Sequence, residues 1–226
     1  MIKIEFSNQD IKRKLEIPNT ITKELAEETG IHVGDGSMNI YKGGGSLYSL
    51  EGDPLEKEYY LNFIGPLYKK VYNLQVRLRE RKCAGVFGFQ IGSKGLIDFK
   101  HKKLQLPLGP KNEVEIPKLI RNSDINIKAA FIRGFFDTDG GIYLEKKYGK
   151  LYPRIQLTNK SQKLMYQIRD ILEKEFGFNL SIRLDNDCYR LVIGGNENFI
   201  KWMKLIGSNN PKNKNKYLFW LNSRRL

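Results

Sequence analysis

Two short segments place a carboxylate where it can do chemistry. Glu28 to Gly36 reads ETGIHVGDG and Ile132 to Gly140 reads IRGFFDTDG; each sets a glycine five residues before an aspartate that is itself followed by glycine. The aspartates, Asp35 and Asp139, stand nearly half the 226-residue chain apart, so each half supplies one. If both segments are helical, Gly30 and Gly34 share one face at i and i+4, and Gly134 and Thr138 occupy the same face of the other helix. Small residues there form a helix interface of very close approach, with Asp35 and Asp139 side by side at its end. That placement is unfavourable twice over, because the helix C-terminus and the neighbouring carboxylate both repel negative charge. Divalent cations would relieve it, and two carboxylates joined by the backbone oxygens of Gly34 and Thr138 suit magnesium or manganese. An EF-hand reading of Asp137-Thr138-Asp139-Gly140 fails on spacing, since the glycine comes too early and Tyr148 stands where a bidentate glutamate is needed.

The elements that would position these aspartates also occur twice. Glu16-Ile17-Pro18 is echoed by Glu115-Ile116-Pro117, Leu67 to Cys83 parallels Leu172 to Cys188 with the cysteines in register, and Pro110-Lys111 returns as Pro211-Lys212. Such self-similarity marks a duplicated structural unit. Thr20 or Thr22 can cap the first motif helix and Asp124 or Asn126 the second. Short strands follow: Ser37 to Tyr41 and Ser46 to Leu50 flank Lys42-Gly43-Gly44-Gly45, and Ile142 to Lys146 and Arg154 to Thr158 flank Tyr148-Gly149. An amphipathic helix over Leu55 to Val71, opened by Pro54, matches one over Gln162 to Phe176 after Ser161. Arginine-rich strand pairs come next, Gln75 to Glu80 with Ala84 to Ile91 and Leu180 to Leu184 with Tyr189 to Ile193, and a short helix ends each unit. Connections this short make the strands antiparallel. The predicted fold is therefore α+β: two pseudo-symmetric αββαββα units, residues 1–115 with an N-terminal extension and residues 116–226, each a four-stranded antiparallel sheet backed by helices.

GIHVGDG and RGFFDTDGG, in this order of elements, resemble the paired motifs of the LAGLIDADG homing endonucleases, in the single-chain, two-motif form and within it the archaeal intron-encoded type. The likeness runs from about Pro18 to Trp220. It implies a site-specific double-strand DNA endonuclease that hydrolyses phosphodiesters at a long asymmetric site. Asp35 and Asp139 would hold Mg2+, with Mn2+ able to substitute and Ca2+ able to bind without supporting turnover. The family's basic and polar residues around this centre map onto Lys111 and Lys212, which would stabilise charge on the phosphate or tune the attacking water, and onto Gln156 and Asn159, which would hold a water network. The first unit departs from the pattern, with Gly52 where a polar side chain is expected.

Strand alternation supplies a candidate DNA-reading face: Tyr41, Tyr48, Gln75, Arg77 and Arg79 in the first unit, and Tyr143, Glu145, Arg154, Gln156, Arg183 and Arg190 in the second. Arginine reads guanine and glutamine reads adenine, while loop lysines such as Lys42, Lys146, Lys147 and Lys214 suit phosphate. Two sheets end to end would follow roughly 50 Å of groove. The reading residues differ between the units, so the target is expected to be asymmetric and a monomer to suffice.

Charge agrees with such a partner: Lys and Arg outnumber acids by 39 to 25, a formal charge of +14 that draws polyanions. Two cysteines, Cys83 and Cys188, are too few for a disulfide framework or zinc cluster and are expected as buried small apolar residues. Neither a signal peptide nor a transmembrane segment is discernible, which predicts an intracellular protein of the cytoplasm or nucleoid. His32 is expected as a packed histidine of the helix interface, and Glu27 and Glu28 as solvated. Two rival readings stay open: an intron RNA maturase, or a DNA-binding protein that does not cut. A protein-splicing element is disfavoured by the ends, Met1-Ile2 and Ser223-Arg224-Arg225-Leu226.

Overall fold

A computed structural model describes residues 3–224; Met1-Ile2 and Arg225-Leu226, on which part of the splicing argument rested, lie outside the described residues. In chain order the elements are α1 (Asn8–Lys12), α2 (Lys23–Asp35), β1 (Gly36–Ile40), β2 (Ser46–Gly52), α3 (Lys57–Tyr59), α4 (Gly65–Tyr72), β3 (Arg79–Arg81), β4 (Val86–Ile91), α5 (Lys94–Asp98), α6 (Lys118–Arg121), α7 (Ile125–Asp139), β5 (Gly140–Lys147), β6 (Lys150–Asn159), α8 (Gln162–Lys174), β7 (Ser181–Asp185), β8 (Cys188–Gly194), α9 (Asn196–Leu205) and α10 (Pro211–Ser223). The strands form two antiparallel sheets of identical topology, β1-β2-β4-β3 and β5-β6-β8-β7. The predicted α+β duplication is present.

The motif helices begin and end as their sequences dictate. The Thr22 side chain caps α2 by accepting from the Leu25 amide at 3.2 Å, and Asp124 caps α7 by accepting from Asn126 and Ile127. Each helix then runs directly into a strand at Gly36 or Gly140. Two-residue turns with positive φ at both positions, Tyr148-Gly149 and Asn186-Asp187, close the hairpins of the second sheet in the sense its twist requires.

The centre of the molecule is the contact of α2 with α7. A Cβ built on Gly30 would lie 2.1 Å from the Phe131 carbonyl oxygen, and one on Gly134 would lie 2.1 Å from that of Glu27. Only a hydrogen fits at either place, so the two backbones touch through a near-symmetric pair of glycines. The inner sheet faces pack outward from this seam, with Met38, Tyr48, Leu50 and Phe89 in the first unit and Ile142, Ile155, Leu157 and Leu191 in the second.

Several expectations are corrected. Glu27 and Glu28 are buried rather than solvated. Glu27 pairs across the seam with Arg133, whose Nε lies 2.8 Å from Oε1, and Glu28 accepts both tyrosine hydroxyls of Tyr68 and Tyr72 and the ammonium of Lys100 at 2.6 and 2.7 Å. His32 is packed, but on its own sheet and not in the helix interface: it stacks on Tyr48 with Nδ1 3.2 Å from that hydroxyl. Cys83 is exposed and Cys188 half-buried, because both stand at the outer turns of their sheets. The helix over Leu55 to Val71 is broken into a 3-10 turn (Pro54–Glu56), α3, a π-helical turn (Tyr60–Ile64) and α4. β3 is shorter than expected, so Gln75 and Arg77 precede it in irregular chain. The second unit ends in two helices, α9 and α10, instead of one.

Candidate active site

Asp35 and Asp139 are the last residues of α2 and α7, and the close approach of those helices sets them together. The carboxyl carbon of Asp139 lies 3.5 Å from where a Gly34 Cβ would stand, and Thr138 Oγ1 fills that space, turning back to donate to the Phe135 carbonyl at 3.1 Å. Burial, reinforced by repulsion from Asp139, pushes the Asp35 carboxyl up to about 7. Burial raises Asp139 as well, against the opposing pull of the Asn159 amide and the Lys111 ammonium. A carboxylate pair so disfavoured when charged asks for cationic neutralisation. The donor set is all oxygen, which fits Mg2+ or Mn2+. Among the described residues no group of three or more His, Cys, Asp or Glu surrounds a common point, so the rest of a coordination shell has to come from backbone oxygens, water and phosphate.

The two lysines predicted at this centre occupy unequal places. Lys111 reaches under the end of α2, donating to the carbonyls of His32 at 3.1 Å, Val33 at 2.7 Å and Gly34. It thus satisfies carbonyls that the helix leaves orphaned and shares the Gly34 oxygen expected as a metal ligand. Burial lowers its pKa to about 8 although both aspartates favour its charge. Lys212 is half exposed and crosses to the first unit, where its ammonium meets Glu56 at 3.1 Å.

Asn159, at the end of β6, donates to Asp139 Oδ2 at 2.8 Å. Gln156 lies earlier on the same strand and bonds to Thr158 at 3.3 Å, without a bond to either aspartate. Asp35 is held instead by Tyr60, whose hydroxyl donates to Oδ2 at 3.0 Å.

Of the candidate DNA-reading residues, Tyr41, Lys42, Gln75, Arg77, Arg79, Tyr143, Lys147, Arg154 and Arg183 are exposed or partly so, as are Glu145, Gln156 and Arg190. Tyr48 is the error. It pairs with Met38 and is fully buried against His32 and Tyr68, so it belongs to the inner face; Leu47, Ser49 and Glu51 take the outward places of β2. Several outward charges are also internally compensated: Glu145 meets Arg154 at 2.7 Å and Lys147 at 2.9 Å, and Asp185 meets Arg190 at 2.8 Å.

Sequence reasoning missed Tyr60, Glu56 and Asp137. Asp137 is fully buried, and burial lifts its carboxyl to about 7 despite bonds from the Ser208 hydroxyl and the amides of Asn209 and Asn210. It anchors the turn that starts α10. The Asn209-Asn210-Pro211 string marked that turn, but nothing marked its partner.

Comparison with known proteins agrees with this geometry. Residues 126–207 match the LAGLIDADG-like domain family model. The fold is that of the single-chain LAGLIDADG homing endonucleases: I-DmoI in complex with DNA and Mn has 21% identity and a TM-score of 0.59, with 83% of this chain and 98% of that one covered. I-LtrWI bound to target DNA has 15% identity and a TM-score of 0.60, over 89% and 90% of the chains. Curated relatives include the tRNA-splicing ligase RtcB of Methanopyrus kandleri (strain AV19), 26% identical over 205 residues, 81% of this chain and 20% of that protein. The glutamine–fructose-6-phosphate aminotransferase of Methanocaldococcus jannaschii is 24% identical over 200 residues, 85% of this chain and 17% of its own length. The chain spans a fifth or less of these relatives. No helix among the described residues is long and apolar enough to cross a membrane.

Proposed function

We propose that this protein is a metal-dependent, site-specific double-strand DNA endonuclease of the homing kind. The observation that carries this reading is the pairing of Asp35 and Asp139, one from each unit, at the ends of two touching helices between two sheets with polar outer faces. Such a pair opposes folding, and a protein that only bound nucleic acid would have no use for it. Neighbours solved with DNA and Mn, or with DNA and Ca, support a divalent metal at this kind of centre and favour DNA over intron RNA as the partner. The matched relatives bear the names of unrelated activities, and this chain spans a fifth or less of each.

Magnesium bound here would polarise the scissile phosphates and lower the pKa of the attacking water. The chain's own residues would prepare that chemistry. Asp35 and Asp139 each supply negative oxygen to one side of the centre, Asn159 orients Asp139, and Lys111 holds the end of α2 with an ammonium close to both. Gln156 and Lys212 would serve water and phosphate. Gly34 and Thr138 contribute backbone oxygens. Arg79, Arg183 and Arg190 would read bases, with Lys42 and Lys147 on phosphate.

The test is selection of cleaved sites from a randomised or genomic DNA library with and without magnesium. A long asymmetric site, cut on both strands only with the metal, is the expected result. Binding without cutting under every metal tried would leave the non-cleaving binder as the correct reading.

A further inference from the structure

The two aspartates are held by different parts of the fold. Strand register makes Gly52 the counterpart of Asn159: Gly36 pairs with Leu50 and Gly140 with Leu157, and each strand then runs two residues further. From that place Asn159 donates to Asp139 at 2.8 Å. Gly52 has no donor to offer and no room for one, since a Cβ there would lie 2.6 Å from Asp35 Oδ2 and 2.7 Å from the Tyr60 hydroxyl. That hydroxyl fills the space and donates to Asp35 Oδ2 at 3.0 Å. Tyr60 is itself fully buried, edge-on to Phe87 with ring centroids 5.9 Å apart, so packing fixes where its hydroxyl can go. It also opens the π-helical turn Tyr60–Ile64, a rare irregularity that concentrates at functional sites.

We propose that Tyr60 is the positioning residue for Asp35, doing through the space left by Gly52 what Asn159 does for Asp139, so that the two DNA strands are cut through non-equivalent supports. This rests on the nuclease reading above. A carboxylate with one oxygen held by a packed hydroxyl loses its freedom to rotate, and outer partners of this sort commonly govern both affinity for a metal and rate. Asn159 achieves the same from a strand end, with an amide in place of a phenol.

The experiment measures cleavage of each strand separately on the selected site, with melting temperature as the control for folding. Tyr60→Phe is expected to slow one strand at least about tenfold while the other stays within about twofold, and Asn159→Ala to slow the opposite strand. Gly52→Asn collides with both the Tyr60 hydroxyl and Asp35 Oδ2 and slows the same strand as Tyr60→Phe. A second readout is the affinity for Mn2+ of the protein on an uncleavable duplex, followed by electron paramagnetic resonance, which should fall in Tyr60→Phe. Equal slowing of both strands, unchanged rates, or an Mn2+ affinity unchanged in Tyr60→Phe overturns the role of Tyr60 while leaving the nuclease standing. A wild type that cuts no DNA overturns the nuclease reading and the role of Tyr60 with it.

Discussion

The first and second units share a backbone plan and differ in what fills it. Behind the first sheet lies a buried polar network in which Lys100 and Glu28 pair, Glu28 accepts from Tyr68 and Tyr72, Tyr68 meets Tyr48, and Tyr48 meets His32. At the matching places of the second unit stand Ile132, Ile155 and Phe136, with Phe136 packed edge-on to Trp202. The ends of the motif helices differ likewise. Lys111 satisfies the carbonyls of α2, whereas at α7 the Asn210 amide donates to the Asp137 carbonyl at 3.0 Å. The repeat therefore keeps what the shared seam demands, namely small residues and terminal carboxylates, while each unit supports its own carboxylate with whatever lies behind it.

The largest effect should come from breaking the polar network of the first unit. Removing one partner of a buried ion pair leaves the other charge unpaired and costs roughly 3–5 kcal/mol. Lys100→Met is expected to lose that much in urea unfolding, because both members of the pair are fully buried. Ile132→Val in the second unit, which only trims a methyl group, should lose about 0.5–1.5 kcal/mol. A Lys100→Met protein as stable as the wild type would mean that Glu28 is not held as a buried ion.

Next comes the seam that both units share. Overpacking typically costs about 1–3 kcal/mol and occasionally more, and Gly30→Leu or Gly134→Leu should reach at least the upper end, because the atoms in the way are backbone. Cleavage should fall further than stability does, since displaced ligands spoil the centre. Lys23→Leu, on the exposed start of α2, is the control. Equal activity in all three would separate the glycines from the alignment of the two aspartates.

What was legible in the sequence follows the same division. The seam was readable because close helix contact permits few residue types, so Gly30, Gly34, Gly134 and Thr138 showed their purpose by spacing alone. Turns and caps were readable for the same reason. The supports were not, since Tyr60 and Asp137 act across long sequence separations and neither belongs to a motif that spacing reveals. Tyr48 was misplaced because a tyrosine suits either face of a strand: only its register with Met38 turns it inward, towards partners on α2 and α4. Glu28 looked solvated because nothing near it in sequence announces Lys100.

The outer faces allow a gentler comparison. Arg183, exposed on β7, should contribute about 1–3 kcal/mol to binding if it reads a base, so Arg183→Ala should weaken affinity for the selected site by roughly tenfold or more. Tyr48→Phe, on the inner face of the other sheet, should leave affinity unchanged while lowering the melting temperature. Fluorescence anisotropy at a fixed salt concentration decides between them, and the opposite ranking would put the DNA on the wrong side of the sheets.

The smallest expected effect concerns pH and tests the strain that a bound cation would relieve. Folding raises Asp35 from 3.8 to about 7, so the folded chain prefers the protonated acid. The stability this preference contributes is complete below about pH 4 and is lost as pH rises through 7. Metal-free protein should therefore weaken between about pH 4 and 7, and Asp137, raised to about 7 by burial, adds to the slope. Asp35→Asn removes one of these titrations. The Asp35 carboxyl is partly open to solvent, so its full shift overstates the energy, and a gain on the order of 1 kcal/mol at about pH 8 is the reasonable size. Near pH 4, where the unfolded chain also holds much of its proton, the gain should nearly vanish. Magnesium should stabilise the wild type at the higher pH and do less for the variant, because a cation binds the charged form that folding disfavours. Asp139→Asn should give a related but distinct profile: it lifts the repulsion on Asp35 but leaves burial, the larger cause, in place. Melting temperatures of the three proteins at both pH values, with and without magnesium, measure all of this. If Asp35→Asn were less stable than the wild type at the higher pH without metal, the carboxylate would be a favourable part of the fold, and the argument that this pair exists to hold cations would lose its physical basis.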